Sequence, residues 1–358
     1  MKKCRLLLAA GLLMFLTGCF SQSVEEFYAP PKAPDDYLKL DNEINKVLTQ
    51  GGEYAAPLSG ELTQKVQLQD LDGDGQKEIL VLQMAAGEVG QAESFVNSAP
   101  GSRVEVYNFR DGILELDASA PLSNGVEKLV SMKTGYLQNM APALFVTSTY
   151  AENGQITDIF AWKNGGLENV TLEPDTGESD STIRWSTEVE STKVSYTDIN
   201  HDGILELPSA YALPDPNNVG TAPNFWAIRW WQYDINGVSH LVYTTYHNSR
   251  DGWYFVLPEA WSGKVTLSRS DLAGGGERAV IFSYWEGSAD TAPVPFLVIY
   301  KLTGDNRVMR ANMADRFLLP NTGEEKETIY AARLIESGWD CGLDEEGVKA
   351  NFALITSD

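Results

Sequence analysis

The chain has 358 residues and a formal net charge of −23, with 50 acidic side chains against 27 Lys and Arg. This excess of negative charge argues against binding to nucleic acid and against direct adhesion to anionic lipid surfaces, because both would be repelled. It is compatible with divalent cations and with solubility outside the cell.

The N-terminus has the pattern of an export signal. Lys2, Lys3 and Arg5 precede a short apolar run that ends in Leu16-Thr-Gly-Cys19. The run is too short to span a bilayer, and its flanks are those of a secretory signal. A cysteine after small residues at this place resembles the bacterial lipobox. The resemblance implies cleavage before Cys19 and attachment of diacylglyceryl and palmitate lipid there. The alternative is an ordinary signal peptide with an incidental cysteine.

We therefore expect a signal peptide over residues 1–18 and a protein that is lipid-anchored on the extracytoplasmic face of the cell membrane. Loss of the three basic residues would bring the net charge to about −26. Residues 19–36 contain three prolines and predict an extended, semi-rigid tether. Apolar residues then recur at helical spacing from Tyr37 to Leu48, which predicts a short amphipathic helix that ends before Gly51.

Two nine-residue segments share one plan. The segments are Asp70-Leu-Asp72-Gly-Asp74-Gly75-Gln76-Lys-Glu78 and Asp198-Ile-Asn200-His-Asp202-Gly203-Ile204-Leu-Glu206. Alternate positions of a tight loop point toward one centre, and glycine at position 6 allows the sharp turn. Hard oxygen ligands in this arrangement favour Ca2+. Strand-like runs flank the loops and glutamate falls at position 9, so we expect calcium loops between strands and not EF-hands. The alternative is a pair of acidic turns, since Asp and Gly are common in turns.

The expected metal-binding residues come from both loops, which gives one or two Ca2+ sites. They are Asp70, Asp72, Asp74, Gln76 and Glu78 in the first loop and Asp198, Asn200, Asp202, Ile204 and Glu206 in the second. We expect the second loop to bind more weakly, because Asn200 replaces a carboxylate and removes one negative charge.

A repeat of about 64 residues links the two loops, which start 128 residues apart. Halfway between them, strand-like runs at residues 130–132 and 143–146 keep the spacing. The intervening segment carries Thr134, Tyr136 and Gln138 in place of aspartates. This middle copy is expected to keep its strands and to have lost its metal ligands.

Each copy also ends in a hairpin signal, at Asp111-Gly112, Asn164-Gly165 and Asn236-Gly237. One unit therefore predicts four antiparallel strands, which is the pattern of a propeller blade. With their loops, these units resemble the FG-GAP/VCBS family, the calcium-loop repeats of integrin-type β-propellers. The resemblance covers about residues 53–248 and implies that the loop joins the first two strands of a blade, with the acidic residue at position 9 completing the site.

The resulting fold prediction is mainly β. Residues 37–248 are expected to form a propeller-like array of about three four-stranded blades behind the leading helix, whereas a closed propeller has four to eight blades. The sequence leaves open whether the blades form a closed ring. The alternatives are an incomplete arc and a sandwich of blade-like sheets. Residues 251–358 are expected to form a smaller α+β domain, because the opening at Leu257–Thr266 is similar to a module at the end of Gram-positive lipoproteins. The alternative makes residues 271–276 a fourth, ligand-free blade loop.

No catalytic pattern stands out. The chain has only three histidines, and it lacks H-E-x-x-H, G-x-S-x-G and Walker-type motifs. Trp226, Trp230 and Trp231 could form a sugar-binding platform, but alternation along a strand favours a core role. We therefore expect a non-catalytic, calcium-stabilised binding or scaffold lipoprotein for an extracellular protein or glycan partner. The alternative is a hydrolase that acts on extracellular glycans or cell wall through unrecognised carboxylates.

Overall fold

The structure of the protein is a computed structural model. It describes residues 35–50, 53–84, 101–150, 154–173, 184–186, 196–217, 224–272, 276–288, 290–320 and 327–355. The fold is mainly β, with 51% strand and 12% helix, and contains four antiparallel sheets, none of them closed. The expected signal peptide, Cys19 and the tether up to residue 34 lie outside the described residues. In the described ranges, no helix is both long and apolar enough to cross a membrane.

The chain divides into two compact units. One contains the helix α1 (Asp35–Gln50) together with residues 109–114, and the other contains residues 51–108 and 115–358. The helix confirms the amphipathic segment predicted from the sequence. It begins at Asp35, where an acidic side chain suits the positive end of the helix dipole. The last two residues of the expected tether therefore belong to this helix.

The first sheet contains the first calcium-loop motif. Its strands are β1 (Glu53–Tyr54), β2 (Val66–Gln69), β3 (Glu78–Met84), β4 (Arg103–Arg110) and β5 (Ile113–Pro121). The order is β1-β3-β4-β5. The strand β2 also pairs with β3, at residues that precede those paired with β1. The turn between β4 and β5 has positive φ at Asp111 (53°) and Gly112 (83°), as the hairpin signal predicts.

The second sheet is the ligand-free copy. Its strands are β6 (Val126–Tyr136), β7 (Pro142–Tyr150), β8 (Gly154–Lys163), β9 (Gly166–Asn169) and β10 (Arg184–Ser186). The order is β10-β8-β7-β6, with β9 also paired to β8. The two strands predicted for the middle copy are confirmed as parts of β6 and β7. Thr134 and Tyr136 lie within β6, and Gln138 begins a 3-10 turn that leads to β7.

The third sheet follows the second loop motif. Its first four strands are β11 (Leu207–Ala212), β12 (Trp226–Tyr233), β13 (Ser239–Asn248) and β14 (Trp253–Val256). They pair in chain order. The segment before the loop contributes a two-residue bridge, in which Thr197 and Glu206 exchange both backbone hydrogen bonds.

The fourth sheet lies in the C-terminal third. Its strands are β15 (Val265–Leu272), β16 (Glu277–Tyr284), β17 (Val294–Thr303), β18 (Phe317–Leu318) and β19 (Thr328–Leu334), in the order β15-β16-β17-β19-β18. The helix α2 (Arg307–Ala311) lies between β17 and β18, and α3 (Glu345–Asn351) follows β19. The helical spacing of Val348 and Phe352 is confirmed only in part, because the helix ends at Asn351 and Phe352 opens the strand β20 (Phe352–Leu354).

The third sheet crosses the boundary drawn from the sequence. β20 pairs with β14, and β14 pairs with β13, so the third sheet contains strands from both sides of residues 248–251. The four-strand run β15-β16-β17-β19 has the meander order of the other sheets. The connection at residues 273–275 lies outside the described residues.

Buried side chains form a core cluster between each sheet and the next. One core cluster contains Leu82, Val106 and Val146, from the first and second sheets. A second joins the second sheet to the third, and a third and larger cluster joins the third sheet to the fourth. The strand β7 is apolar on both faces, because alternate residues belong to different clusters. The second and third sheets therefore each pack against two neighbouring sheets.

Candidate metal centres

The first acidic loop connects β2 to β3. The two strands pair through Gln69 and Glu78, so the loop is closed at its base. Gly73 and Gly75 have φ values of 79° and 87°, which a side-chain-bearing residue rarely adopts. These two glycines allow the chain to turn sharply enough for the aspartates to converge.

Backbone amides hold the aspartates of the first loop in place. The two carboxylate oxygens of Asp70 accept hydrogen bonds from the amides of Gly73 (2.8 Å) and Gly75 (3.0 Å). Asp72 accepts from the amide of Asp74 (3.0 Å), and Asp74 accepts from the amide of Gln76 (2.7 Å). Each of these oxygens has a second lone pair, so the loop is pre-organised and keeps acceptor capacity for a cation.

Glu78 is the buried member of this cluster. Its side chain is 4% exposed, and its Oε2 accepts a hydrogen bond of 2.7 Å from the amide of Leu71. Burial raises the pKa of Glu78 above its ordinary value, the charges of Asp72 and Asp70 act in the same direction, and the Leu71 amide opposes them. A cation among these carboxylates would offset the cost of burying the glutamate charge.

The ligand atoms of the first cluster match the size of a calcium site. Asp70, Asp72, Asp74 and Glu78 each place a carboxylate oxygen within 4.8 Å of the others. Ca2+ sits about 2.3–2.6 Å from each oxygen, so opposite ligands lie about 5 Å apart. Position 7 in such loops contributes a main-chain oxygen, and Gln76 is the residue there. The donor set therefore consists of hard oxygens at a suitable spacing.

The second loop repeats this geometry between residue 197 and β11. Asp198 accepts hydrogen bonds from the amides of Asp202 (3.0 Å) and Gly203 (2.9 Å), and Glu206 accepts one from the amide of Ile199 (2.8 Å). Asp198, Asp202 and Glu206 have carboxylate oxygens within 4.8 Å of one another. The exposed His201 has a φ of 61° at position 4.

Asn200 and Ile204 complete the expected set of the second loop. Asn200 uses its Nδ2 to donate to Asp202 (2.8 Å), while its Oδ1 accepts from the Asp202 amide (3.1 Å). Ile204 stands at position 7, and its amide donates to the Asp202 carboxylate (2.9 Å). The carboxamide contributes an oxygen to the cluster but no negative charge.

Gln232 is a residue of the second site that the sequence does not indicate. It lies on β12, and its Nε2 donates to Oδ2 of Asp202 (2.7 Å) and Oε1 of Glu206 (2.6 Å). Gln232 follows the loop by 26 residues and belongs to no motif, so only the pairing of β11 with β12 brings it to the site. Its amide supplies a neutral hydrogen-bond donor to two carboxylates of the second cluster.

Glu206 has a strongly perturbed acidity. The side chain has no exposed surface, and burial raises its pKa to about 7. The charges of Asp202 and Asp198 act in the same direction, while the Ile199 amide and the Gln232 side chain oppose the increase. At neutral pH this glutamate is therefore poised between its neutral and charged forms in the absence of a cation.

These are the two acidic groupings suited to a metal ion in the part of the chain that the structure describes. The connection between β6 and β7 retains none of the loop aspartates and forms a 3-10 turn, with Asn139 at a φ of 65°.

The three tryptophans proposed for a sugar platform differ in exposure. Trp230 is 1% exposed, and its indole N–H donates to the hydroxyl of Thr245 (2.7 Å). Trp226 and Trp231 are half-buried, and the Trp231 indole donates to Ser209 (2.8 Å). Trp230 thus presents no face to a ligand in solution, whereas the other two retain some exposed surface.

Comparison with known protein families finds no family model that matches the chain, and no functionally characterised protein has a significantly similar sequence.

Proposed function

We propose that this protein is a lipid-anchored, extracytoplasmic lipoprotein whose β sheets are stabilised by Ca2+ and serve as a non-catalytic binding scaffold for a protein or glycan partner. The observation that carries the proposal is the pair of loops in which backbone amides hold the first aspartate and the final glutamate. Each gathers acidic oxygens within 4.8 Å and ends in a buried glutamate. This donor set suits a hard divalent cation.

The position of the loops supports a stabilising role for the ion. The first loop joins β2 to β3, and the second leads into β11, so each loop directly precedes a strand of a sheet. Buried Leu71 in the first loop and Leu205 in the second belong to the core clusters between sheets. A cation bound to the folded loops would stabilise the fold by mass action, by about 2.7 kcal/mol at a hundredfold excess over its Kd.

The sheet order supports a propeller-like arrangement of blades. Antiparallel four-strand meanders recur four times, and core clusters join the first to the second, the second to the third and the third to the fourth. Repeated sheets that bury side chains against their neighbours are the packing principle of propeller blades. Such a scaffold presents loops to partners on a stiff support.

The calcium proposal is tested by comparing single substitutions in the two loops. Millimolar Ca2+ should raise the Tm of the wild-type protein, and Asp72→Ala should remove more of that rise than Asn200→Ala. The reason is charge, because the first cluster has four carboxylates and the second has three. Thermal melts with Ca2+ and with EDTA measure the effect, and Asp117→Ala, at an exposed position of β5, is the matched control.

Isothermal calorimetry gives the independent readout. We expect tighter uptake at the Asp70 loop than at the Asp198 loop. Absence of Ca2+ uptake by the wild-type protein at millimolar concentrations would remove the metal assignment from both loops and leave them as acidic turns.

The anchoring proposal depends on Cys19. Cys19→Ser should release the protein from membrane fractions or leave its precursor unprocessed, because the sulfur that accepts the lipid is lost. Fractionation and mass determination of the N-terminus provide the measurement. A processed variant that still sediments with membranes would contradict the lipobox interpretation.

The scaffold and hydrolase hypotheses differ in turnover. A scaffold should hydrolyse no glycan or cell-wall substrate, with or without EDTA. Reproducible hydrolysis that a carboxylate substitution abolishes would favour the hydrolase instead.

A further inference from the structure

A cleft separate from the acidic loops lies beside the third sheet. Its volume is about 620 Å³, within the range of small-molecule sites. Strands β11, β12 and β13 form one wall, and the segment from β14 to the start of β15 forms the other. The lining combines apolar and hydroxyl-bearing side chains with one guanidinium group and one carboxylate.

The guanidinium belongs to Arg229 on β12. It stacks over the ring of Tyr211, with its Cζ 3.8 Å from the ring centroid. Its Nε is buried and has no hydrogen-bond acceptor among the residues that the structure describes. It also forms no ion pair with Glu259, the carboxylate of the same cleft. A buried N–H without an acceptor is unfavourable, and a guanidinium that stacks through its face can still donate from its terminal N–H groups to an anion.

The remaining walls are mainly apolar, with hydroxyl groups at Thr244 and Ser262. Trp261 is 2% exposed, and its indole N–H is satisfied by the carbonyl of Cys341 (2.8 Å). Leu241 and Tyr243 border the cleft and are 46% and 37% exposed, although both are large and apolar. An occupant with an apolar body would cover these side chains while its anionic group reached Arg229.

We infer that this cleft binds a small organic monocarboxylate with an apolar body, its carboxylate paired with the guanidinium of Arg229. A carboxylate matches the fork of N–H donors, which a neutral amide cannot do as well. Exposed Glu259 at the cleft disfavours a second negative charge on the ligand. The inference uses no residue of the two acidic loops and stands whether or not those loops bind metal.

Paired probes test the carboxylate requirement in the full-length protein. N-acetyl-L-phenylalanine should bind at least about tenfold more tightly than its C-terminal amide, measured by calorimetry or ligand-observed NMR. 3-Phenylpropionate is the second acid. Binding of both acids supports the inference with free organic acids as ligands, and binding of the acetylated amino acid alone supports it with peptide carboxyl termini. Equal binding of acid and amide, or no binding of either acid at 10 mM, overturns it.

Substitutions locate the site. Arg229→Gln should weaken binding of the acid at least about tenfold and leave the amide almost unchanged, since only the charged partner is lost. Glu259→Gln should strengthen acid binding a few-fold. Arg250→Gln, at an exposed arginine outside the cleft, is the matched control and should have no effect.

If Arg229→Gln does not fold, a substitution at the edge of the cleft tests the inference instead. Leu241→Asp replaces a side chain that is already 46% exposed, so folding should tolerate it. The added charge at the cleft should weaken acid binding about tenfold through repulsion. Unchanged acid affinity in either folded variant would overturn the inference.

Discussion

Glu78 and Glu206 occupy the same position in their loops but differ in their partners. Both accept a hydrogen bond from the backbone amide that follows the first aspartate. Glu206 also accepts one from Gln232, and burial raises its pKa to about 7. The second site thus has a neutral donor from β12 and one fewer carboxylate. Together these differences explain why we expect it to bind a cation more weakly than the first.

His247 is a second buried group with a perturbed acidity. It is 4% exposed and stacks on Tyr254, with ring centroids 5.0 Å apart. Neither ring nitrogen has a hydrogen-bond partner within the described part of the chain. Burial lowers the pKa of His247 to about 4, so the folded protein holds this side chain neutral.

The low pKa of His247 predicts a loss of stability in weak acid. The unfolded chain takes up the proton near pH 6.5 and the folded protein only near pH 4. Stability is therefore complete above pH 6.5 and decreases as the pH falls toward 4, by about 3 kcal/mol for this group. His247→Phe should flatten this part of the profile in denaturant titrations.

His240→Phe is the matched control, because His240 is exposed on the same strand. It should leave the slope between pH 7 and 4 unchanged. If both variants keep the wild-type slope, acidic side chains and not His247 cause the loss.

At the scale of elements, a hairpin turn can contact a neighbouring sheet as well as join two strands. The Asn164-Gly165 turn joins β8 to β9, and Gly165 has open space around it. The Asn236-Gly237 turn joins β12 to β13, and the backbone carbonyl of Val170 approaches Gly237 closely. A side chain at Gly237 would place its Cβ 2.1 Å from that oxygen. The Asn164-Gly165 turn thus only joins its two strands, whereas the Asn236-Gly237 turn also contacts the second sheet.

This difference predicts unequal costs for the same substitution. Gly165→Ala and Gly237→Ala both force alanine into positive φ, at 82° and 78°, which costs about 1–2 kcal/mol. Gly237→Ala should cost about 1–3 kcal/mol more, because the turn must move away from Val170. Urea unfolding of both variants measures the difference. Equal losses of unfolding free energy would show that the contact between the two sheets is unimportant.

At the scale of the whole molecule, the third sheet unites the two regions that the sequence separates. Its strands β13 and β14 lie on either side of residues 248–251, and β20 comes from the end of the described chain. Asp251 in the intervening turn forms ion pairs with Arg278 and Lys301 of the fourth sheet. The hydroxyl of Tyr330 donates to the Asp251 carbonyl. The pairing of β13 with β14 and the packing of the largest core cluster both cross the expected boundary.

This continuity predicts that the repeat region does not fold alone. A fragment of residues 35–248 would keep only Leu213, Ala227 and Tyr246 of the buried residues in the largest core cluster. Several lost aromatic and aliphatic side chains, at about 1.5–3 kcal/mol each, exceed a typical stability of about 5–15 kcal/mol. We expect no cooperative thermal transition of the third sheet. A fragment that melts within a few degrees of residues 35–358 would instead support a domain boundary at residue 250.

The sequence by itself determined the local structure of this protein. The loops at Asp70 and Asp198, the three Gly-containing hairpin turns and the helix from Asp35 all depend on neighbours within a few residues. Glycine conformation, side-chain capping and periodicity act over that range. The mainly β character and the two acidic clusters followed from such patterns.

Only the tertiary structure decided which distant segments meet. The pairing of β20 with β14, the approach of Gln232 to Glu206 and the stacking of Arg229 on Tyr211 leave no local signal. Strand register and core packing bring these residues together, and both depend on the whole set of buried contacts. The strand pairing adds the last strand to the third sheet, the glutamine distinguishes the second site from the first, and the stacked arginine lines the cleft.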